Sequence, residues 1–472
     1  MAEKWLVLKF GGTSVAGRKQ WETIASIVAA RRAGGYRVLL VCSALSGVTD
    51  LLFDLASRPD SESSLAEILD FHRLLAEKLE INIDCWLSEA EQHMRQCLKN
   101  IIRTSGPECA AALLSTGEWL STHIGAQFLQ QGLDVDWVDA RDALEVLHEP
   151  DLSQARRWLA ATCEPGRDNN LAERWISLSP VLVTQGYVGR TRRGKTVLLG
   201  RGGSDTSAAL LAGRLGAQKL EIWTDVPGLF SADPRLIPQA RLIREVDYAE
   251  ALEMAASGAR VIQPRCIRAA MATDTVVVIR DLNRRHVAGT RISSKESAIM
   301  GVKTITCQHN MAVILLQNLD VRHDVGFLAQ VFDIFRQRGI SIDLVATSET
   351  TTTVAINRES NHLGAEELAV LVNDLEERCT VRLYHDSVCI NLVGHGARTS
   401  LSRLHSTMAH FEQQPLLMLS QSANDLCLSI LVNAGDQNPL LRSAHDALIP
   451  VGNTGAGSLF GDSWRQIWTA DE

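Results

Sequence analysis

Apolar residues run almost unbroken through "KWLVLKF" (4–10) and "YRVLLVCSA" (36–44). They do so again in "VDWVDA", "PVLVTQGYVG", "KTVLLG", "KLEIWTDV" and "TVVVIRD", the last ending at residue 281. Short apolar runs bounded by turn residues predict strands buried on both faces. Between several of them the period changes to that of a helix, from Trp21 to about Arg32 and across much of 60–130. Strands alternating with helices predict an α/β domain with a mostly parallel sheet, ending near residue 300.

The remainder repeats itself. "VILLQNL" (313–319) and "SVCINLV" (387–393) lie 74 residues apart, and the same offset matches Leu344-Val345 with Met418-Leu419, Ser348 with Ser422, Val354 with Leu428 and Ile356 with Ile430. Helical stretches "GFLAQVFDIFRQRG" and "RLHSTMAHFEQQ" fall at corresponding places. Residues 301–450 therefore read as two β-α-β-β-α-β units of roughly 75 residues each. The chain then ends in a Gly-rich linker and an apolar tail containing Leu459, Phe460, Trp464, Ile467 and Trp468, too apolar together to be left in water.

The composition narrows the chemistry. The chain has 472 residues, 46 % of them hydrophobic, and a net charge of −8. An acidic balance disfavours a general nucleic-acid binder. No apolar run is long enough to span a bilayer. The amino-terminal strand meets a glycine turn instead of a cleavage site, so no signal peptide is expected. Ten cysteines with no C-x-x-C pair suggest neither a zinc site nor a disulfide framework, and they fit a reducing, cytoplasmic setting.

Five loops carry candidate chemistry. In "GRGGSDTSA" (200–208), Gly200, Gly202 and Gly203 free the backbone beside Arg201, whose fork suits a carboxylate. Ser204 or Asp205 would cap the following helix, whose amino terminus attracts anions. Asp205 itself would repel an anion, so it suits a lysine, a metal or a substrate ammonium. "KFGGTS" (9–14) places Lys9 at a strand end before Gly11 and Gly12, and offers a cation and backbone N–H groups to a transferring phosphoryl. "VCSALSGVTD" contributes Ser43 and Thr49, "STGEWLST" contributes Glu118, and "WTDVPGLFSADPR" contributes Thr224 and Asp225. Ligands of open parallel sheets bind beyond the carboxyl ends of the strands, where these loops would converge.

In combination "KFGGTSV", "SALSGVTD", "STGEWLST", "GRGGSDTSA", "EIWTDVPGLFSADPR" and "GFLAQVFDIF…ISIDLVATSE" resemble the aspartate kinases of the amino-acid kinase family, over about 1–450. The resemblance implies a three-layer α/β sandwich as catalytic domain (1–300), tandem ferredoxin-like ACT modules (301–452) and a linker and tail (453–472). It implies transfer of the γ-phosphoryl of ATP, with Mg2+, to the β-carboxylate of L-aspartate, the first step towards lysine, threonine and methionine. Lys9, Gly11, Gly12 and Asp205 would serve the transferred phosphoryl. Ser43, Thr49, Glu118, Arg201, Gly202 and Ser204 would hold aspartate, Arg201 at its α-carboxylate and Glu118 at its ammonium. Lys9, Thr224, Asp225, Phe230, Arg235 and Arg260 would face the nucleotide.

The effector site would comprise His323, Asp324, Gly326, Phe327, Leu328, Ser341, Ile342, Asp343, Thr347, Ser348 and Glu349. Lysine would be the effector, and the ACT modules would pair into a homodimer or higher oligomer. Three positions depart from the family pattern: Arg260 for a lysine, Gln263 for a histidine and Phe230 for a tyrosine. The tail resembles the junction of proteins that fuse this kinase to diaminopimelate decarboxylase. A kinase of another amino acid and a catalytically silent amino-acid sensor remain the alternatives.

Overall fold

The protein is described by a computed structural model, covering all residues except 1–3, 105, 151, 260, 296–299, 318–325, 409–415, 434, 436, 451–458 and 470–472. The chain divides into two compact units. The first comprises residues 1–229, 244–248 and 260–296, and the second comprises 230–243, 249–259 and 297–472.

Strands β1 (Lys4–Phe10), β2 (Tyr36–Cys42), β3 (Val135–Trp137) and β4 (Val181–Gln185) come first along the chain, followed by β5 (Val188–Arg190), β6 (Thr196–Leu198), β7 (Lys219–Thr224) and β8 (Arg241–Ile243). Next come β9 (Glu245–Asp247), β10 (Val276–Asp281) and β11 (Thr290–Ser293). An eight-stranded sheet in the order β3-β4-β2-β1-β7-β10-β11-β9 forms the first unit. Its neighbours from β3 to β10 pair in parallel, and only β10 with β11 is antiparallel. β1 and β2 are apolar on both faces because both faces are covered: Leu6, Val7, Leu8, Val38, Leu39, Leu40 and Val41 are fully buried.

The helices of this half are α1 (Arg18–Ala33), α2 (Val48–Ser57), α3 (Glu62–Leu79), α4 (Asp84–Thr104), α5 (Pro107–Leu114), α6 (Thr116–Gln130), α7 (Gln154–Leu159), α8 (Asn169–Ile176), α9 (Gly203–Leu215) and α11 (Pro264–Ala272), whereas α10 (Tyr248–Ala256) belongs, beyond Tyr248, to the second unit. The long helical region at 60–130 is thus four helices. Two glycines set how α6 packs. A Cβ on Gly125 would lie 1.9 Å from the Trp21 ring of α1, and one on Gly117 would lie 2.9 Å from Ala44 Cβ. Trp21 is fully buried and its indole N–H donates to Val15 O at 2.9 Å.

The second unit is built on β12 (Thr304–Gln317), α12 (Phe327–Gln337), β13 (Leu344–Thr347), β14 (Thr351–Asn357), α13 (Ala365–Glu376) and β15 (Thr380–Val393). It continues with α14 (His405–Met408), β16 (Leu416–Gln421), β17 (Cys427–Asn433), α15 (Asn438–Leu448), β18 (Phe460–Ser463) and α16 (Trp464–Thr469). Six strands form one sheet, β13-β14-β12-β15-β17-β16, and this order mirrors the repeat about its centre. The two modules are interleaved, not strictly consecutive. Met311–Gln317 of β12 pairs with β14 and the first half of β15, whereas Thr304–Gln308 pairs with Val393–Cys389 in the second half. One module therefore takes its last strand from the chain that precedes the other. Ala312, Ile314 and Leu316 form one core with Phe327, Val331 and Phe335 of α12 and Leu368, Leu371 and Leu375 of α13. Of the helix expected within "RLHSTMAHFEQQ", His405–Met408 is helical as α14, after a 3-10 turn over 397–403, and the rest, from residue 409 on, lies outside the described residues.

Candidate active site

Every loop singled out in the first unit leaves the carboxyl end of a strand or opens a helix. Backbone contacts draw them together. Ser43 N–H donates to Phe10 O at 3.1 Å, and Gly186 N–H donates to Cys42 O at 2.8 Å. Ser121 Oγ donates to Ser43 O at 2.7 Å, tying α6 to the loop after β2. A Cβ on Gly12 would lie 2.8 Å from Ala44 O, and one on Gly186 would lie 2.7 Å from Ser204 Cβ. These positions need glycine because another chain segment occupies the space of the side chain.

Lys9, at the end of β1, reaches across to α9. Its Nζ lies 2.5 Å from Asp205 Oδ1, with the two side chains 12 % and 14 % exposed. The same Nζ is 3.6 Å from where a Gly11 Cβ would stand, so the ammonium sits over the glycine turn. The expected side-chain cap on α9 is not present. The N-cap is Gly202, at φ +66°, and the helix starts at Gly203. This left-handed turn puts Asp205 at the third position of the helix, free to pair with Lys9. Ser204 is half-buried beside Gly186. Arg201 stands exposed at the tip of the turn and has no hydrogen-bond or ion-pair partner among the described residues.

Glu118, in the first turn of α6, is 3 % exposed. Burial pushes its carboxyl up to about 8, against partial relief from the N–H groups of Ala44 and of Glu118 itself. Its Oε2 has no hydrogen-bond partner among the described residues. A buried carboxylate with one open oxygen is a binding group for a cation or a donor. Ser43 and Thr49 are half-buried in the adjoining loop and helix.

Tyr187 was not visible in the sequence. It lies directly after β4, in a γ-turn in which Val188 N–H donates to Gly186 O at 2.8 Å, with Tyr187 φ at +70°. A positive φ on an aromatic residue costs about 1–3 kcal/mol and is held by its surroundings. Here Tyr187 N–H donates to Ser207 Oγ at 3.1 Å, and the ring lies over Gly203, where a Cβ would be 2.5 Å from its Cδ2. The phenol is raised well above its ordinary value by burial, with the Glu118 charge adding to it. The only sequence signal is the glycine before it.

The residues assigned to the nucleotide are distributed over both units. Thr224 is half-buried at the end of β7 and its Oγ1 donates to exposed Asp225 at 3.0 Å. Phe230 and Arg235 belong to the second unit. Phe230 is 9 % exposed and packs edge-on to Trp464, so its ring is engaged in packing. Arg235 is exposed and ion-paired to Asp233. Arg260 lies outside the described residues. Gln263 packs on the Gly202 turn, since a Cβ on Gly202 would be 2.0 Å from Gln263 Cγ.

In the second unit, Gly326 at φ +100° is the N-cap of α12. Phe327 and Ile342 belong to the apolar core, and Leu328 is exposed. Ser341 is bound through its N–H and O to the Asn361 amide. Asp343 precedes β13, and its Oδ2 accepts the Asn357 N–H at 2.6 Å while burial raises its carboxyl. Thr347, Ser348 and Glu349 stand at the other end of β13, where Ser348 Oγ lies 2.7 Å from Thr351 Oγ1. His323 and Asp324 lie outside the described residues. No described helix is long and apolar enough to cross a membrane.

Residues 4–281 match the model of the amino acid kinase family. Lysine-sensitive aspartokinase 3 of Escherichia coli is 28 % identical over 461 residues, covering 94 % of this chain and 99 % of its own length. The crystal structure of E. coli aspartokinase III with aspartate and ADP (R-state) aligns with a TM-score of 0.77, at 28 % identity, over 95 % of this chain and 100 % of that one. The form of that enzyme with lysine and aspartate (T-state) gives 0.74, at 27 % identity, over 94 % and 99 %.

Proposed function

We propose that this chain, which belongs to the amino acid kinase family, is an aspartate kinase that is inhibited by lysine. The observation that carries the reading is the pairing of Lys9 with Asp205 beside a buried carboxylate, Glu118, that keeps an oxygen open. A sensor without turnover has no use for a shielded lysine over a glycine turn.

Chemistry follows from the groups. The β-carboxylate of aspartate is ionised at neutral pH, so the attack on the γ-phosphorus needs no general base. Positioning and charge neutralisation are what remain. Lys9, held by Asp205, neutralises charge on the transferred phosphoryl, with the Gly11 and Gly12 N–H groups beside it. Glu118 receives the substrate ammonium, and Arg201 closes as a fork on the α-carboxylate. Ser43, Thr49, Gly202 and Ser204 line the same pocket. ATP lies towards Thr224 and Asp225.

Among the described residues Asp205 is the carboxylate paired with Lys9, and a single carboxylate fits Mg2+ carried mainly by phosphate oxygens. The ion would draw charge from the phosphates, and Asp205 would meet it through the oxygen that Lys9 leaves free. Lysine acts through the interleaved modules, at Asp343, at Thr347 to Glu349 and at the start of α12. Pairing of those modules between copies gives an oligomer.

The test is incubation with aspartate, Mg-ATP and hydroxylamine, with glutamate in parallel and with lysine or threonine added. Aspartyl hydroxamate formed from aspartate alone and suppressed by lysine is the expected result. Hydroxamate from glutamate instead, or none from either, would reject the reading.

A further inference from the structure

The turn that carries Arg201 is pressed from three sides. Gly203 N–H donates to Gly200 O at 2.8 Å and closes it. That bond fixes the shape of the turn but not where the turn stands. At its base, a Cβ on Gly200 would lie 3.0 Å from Ala160 Cβ, and Arg265 of α11 donates to Leu199 O at 2.7 Å and to Ala160 O at 3.2 Å. On the helix side, the Tyr187 ring covers Gly203. At the apex, Gln263 covers Gly202, with its Cγ, Cδ and Cβ at 2.0, 2.8 and 2.9 Å from where a Gly202 Cβ would stand. Each of the three glycines thus has a neighbour in the place of a side chain. Arg201, between Gly200 and Gly202, is exposed.

Gln263 is the neighbour that meets the turn at the residue following Arg201. It is the N-cap of α11, yet its side chain makes no capping bond, and its carboxamide has no hydrogen-bond partner among the described residues. What it does there is packing, through its methylene stem. Pro264 opens α11 and restricts the residue before it, so Gln263 is held in extended backbone at φ −85° and ψ 139°. A half-buried stem on a backbone held this way is a stop for the turn. The Arg201 guanidinium is carried by that turn, so a shift of the apex moves the whole fork.

We infer that Gln263 is a positioning residue for substrate binding: its stem holds the Gly202 turn so that the Arg201 fork is set before a carboxylate arrives. The inference rests on the kinase reading for the identity of the substrate. The groups themselves suit an amino acid. An unpaired guanidinium just ahead of a 13-residue helix fits a carboxylate, and buried Glu118 with its open oxygen fits an ammonium. A group fixed in its binding position spares the ligand the cost of ordering it. Loosening the stop therefore weakens the hold on the carboxylate and leaves Lys9 and Asp205, which hold each other, in place.

The experiment uses the full chain with Gln263→Ala, Gln263→Met, Arg201→Ala and the Gln263→Ala/Arg201→Ala double variant. KM is measured for each substrate, and hydrogen exchange across residues 199–207 is followed by mass spectrometry without ligands. Gln263→Ala should speed exchange in the turn and raise the KM for aspartate by about fivefold or more. The KM for ATP and kcat should stay within about twofold. Methionine keeps the stem and drops the amide, so Gln263→Met should restore both the slow exchange and the KM. With Arg201→Ala already present, Gln263→Ala should change the KM for aspartate by less than about twofold, because it acts through Arg201. Unchanged exchange in Gln263→Ala overturns the inference, and so do effects that multiply in the double variant. Equal losses in Gln263→Met and Gln263→Ala also overturn it, since they assign the role to the amide. A fall in kcat with a rise in both KM values and a lower melting temperature is general loosening and overturns it too. A wild-type chain that phosphorylates no aspartate would reject the kinase reading, and the exchange comparison would still decide whether Gln263 holds the turn.

Discussion

Lys9 Nζ and Asp205 Oδ1 stand 2.5 Å apart across the gap between the end of β1 and the first turn of α9. Neither group could be placed there by its own helix or strand alone. Asp205 supplies the countercharge that lets the lysine stay shielded, and the Gly202 turn sets where the aspartate starts. Lys9→Ala and Asp205→Ala should each lower kcat by roughly a hundredfold or more, with the smaller change in KM. Arg201→Ala should instead raise the KM for aspartate most. Steady-state kinetics separates the two classes, and a Lys9→Ala enzyme with near-normal kcat would remove the phosphoryl role.

Glu118 should make aspartate binding pH-dependent. With its carboxyl pushed up to about 8, the free protein holds it protonated at neutral pH. An incoming ammonium favours the ionised form, so binding expels a proton. Calorimetry in buffers of different ionisation enthalpy should detect that release near pH 7. The affinity for aspartate should rise with pH up to about 8, and Glu118→Gln should bind weakly with no such rise. A binding enthalpy independent of buffer would contradict the assignment.

The same carboxyl marks stability. Its folded value, about 8, is above its ordinary 4.5, so the folded protein binds more protons than the unfolded chain between those limits. Stability from this group is therefore lost as pH rises through that window. Fully buried His72 works in the other direction. Burial pushes it down to about 4 from 6.5, so the unfolded chain gains the proton first and stability falls as pH drops through that range. Urea titrations from pH 6.5 to 8 should show Glu118→Gln losing less stability than the wild type, and a parallel decline in both would exclude Glu118 as the cause.

Much of this site could be read from the sequence, for physical reasons. Strands buried on both faces leave continuous apolar runs, and segments that touch backbone to backbone leave glycines, as at Gly12 and Gly186. Lys9, Asp205 and Glu118 follow from those signatures. Tyr187 does not, because nothing in a tyrosine announces a positive φ. The sharing of β12 and β15 was hidden as well: 304–308 is apolar enough for either module, and only its pairing with 389–393 decides which. The repeat fixed the mirror order of the sheet but not which strand closes which half. The tail could be read as sticky, yet its partner, β8, is three residues long and carries no periodic signal.

Lys303 and Glu250 form an ion pair inside the second unit, 1 % and 0 % exposed. Glu250 also accepts the His395 N–H at 3.2 Å. Removing one member leaves an uncompensated charge in the interior. Lys303→Met should cost roughly 3–5 kcal/mol in denaturant unfolding. Replacing both, with Glu250→Leu added, should recover a large part of that loss. A single variant as stable as the wild type would show that water reaches the site.

Asp343 carries the effector prediction, because its carboxylate has two possible duties. One is visible: Oδ2 accepts the Asn357 N–H and ties the chain ahead of β13 to the end of β14. The other is to meet an ammonium of lysine. An asparagine keeps an oxygen for the N–H but has no charge, so Asp343→Asn separates the duties. A ligand shifts activity only by binding two states unequally, and a charged contact made in one state is such a difference. With and without lysine in the same preparation, Asp343→Asn and Asp343→Ala should both need about tenfold or more lysine for half-inhibition. Wild-type sensitivity in Asp343→Asn, alongside lost sensitivity in Asp343→Ala, would assign the residue to the backbone bond alone and move the ammonium site elsewhere, to Glu349 first.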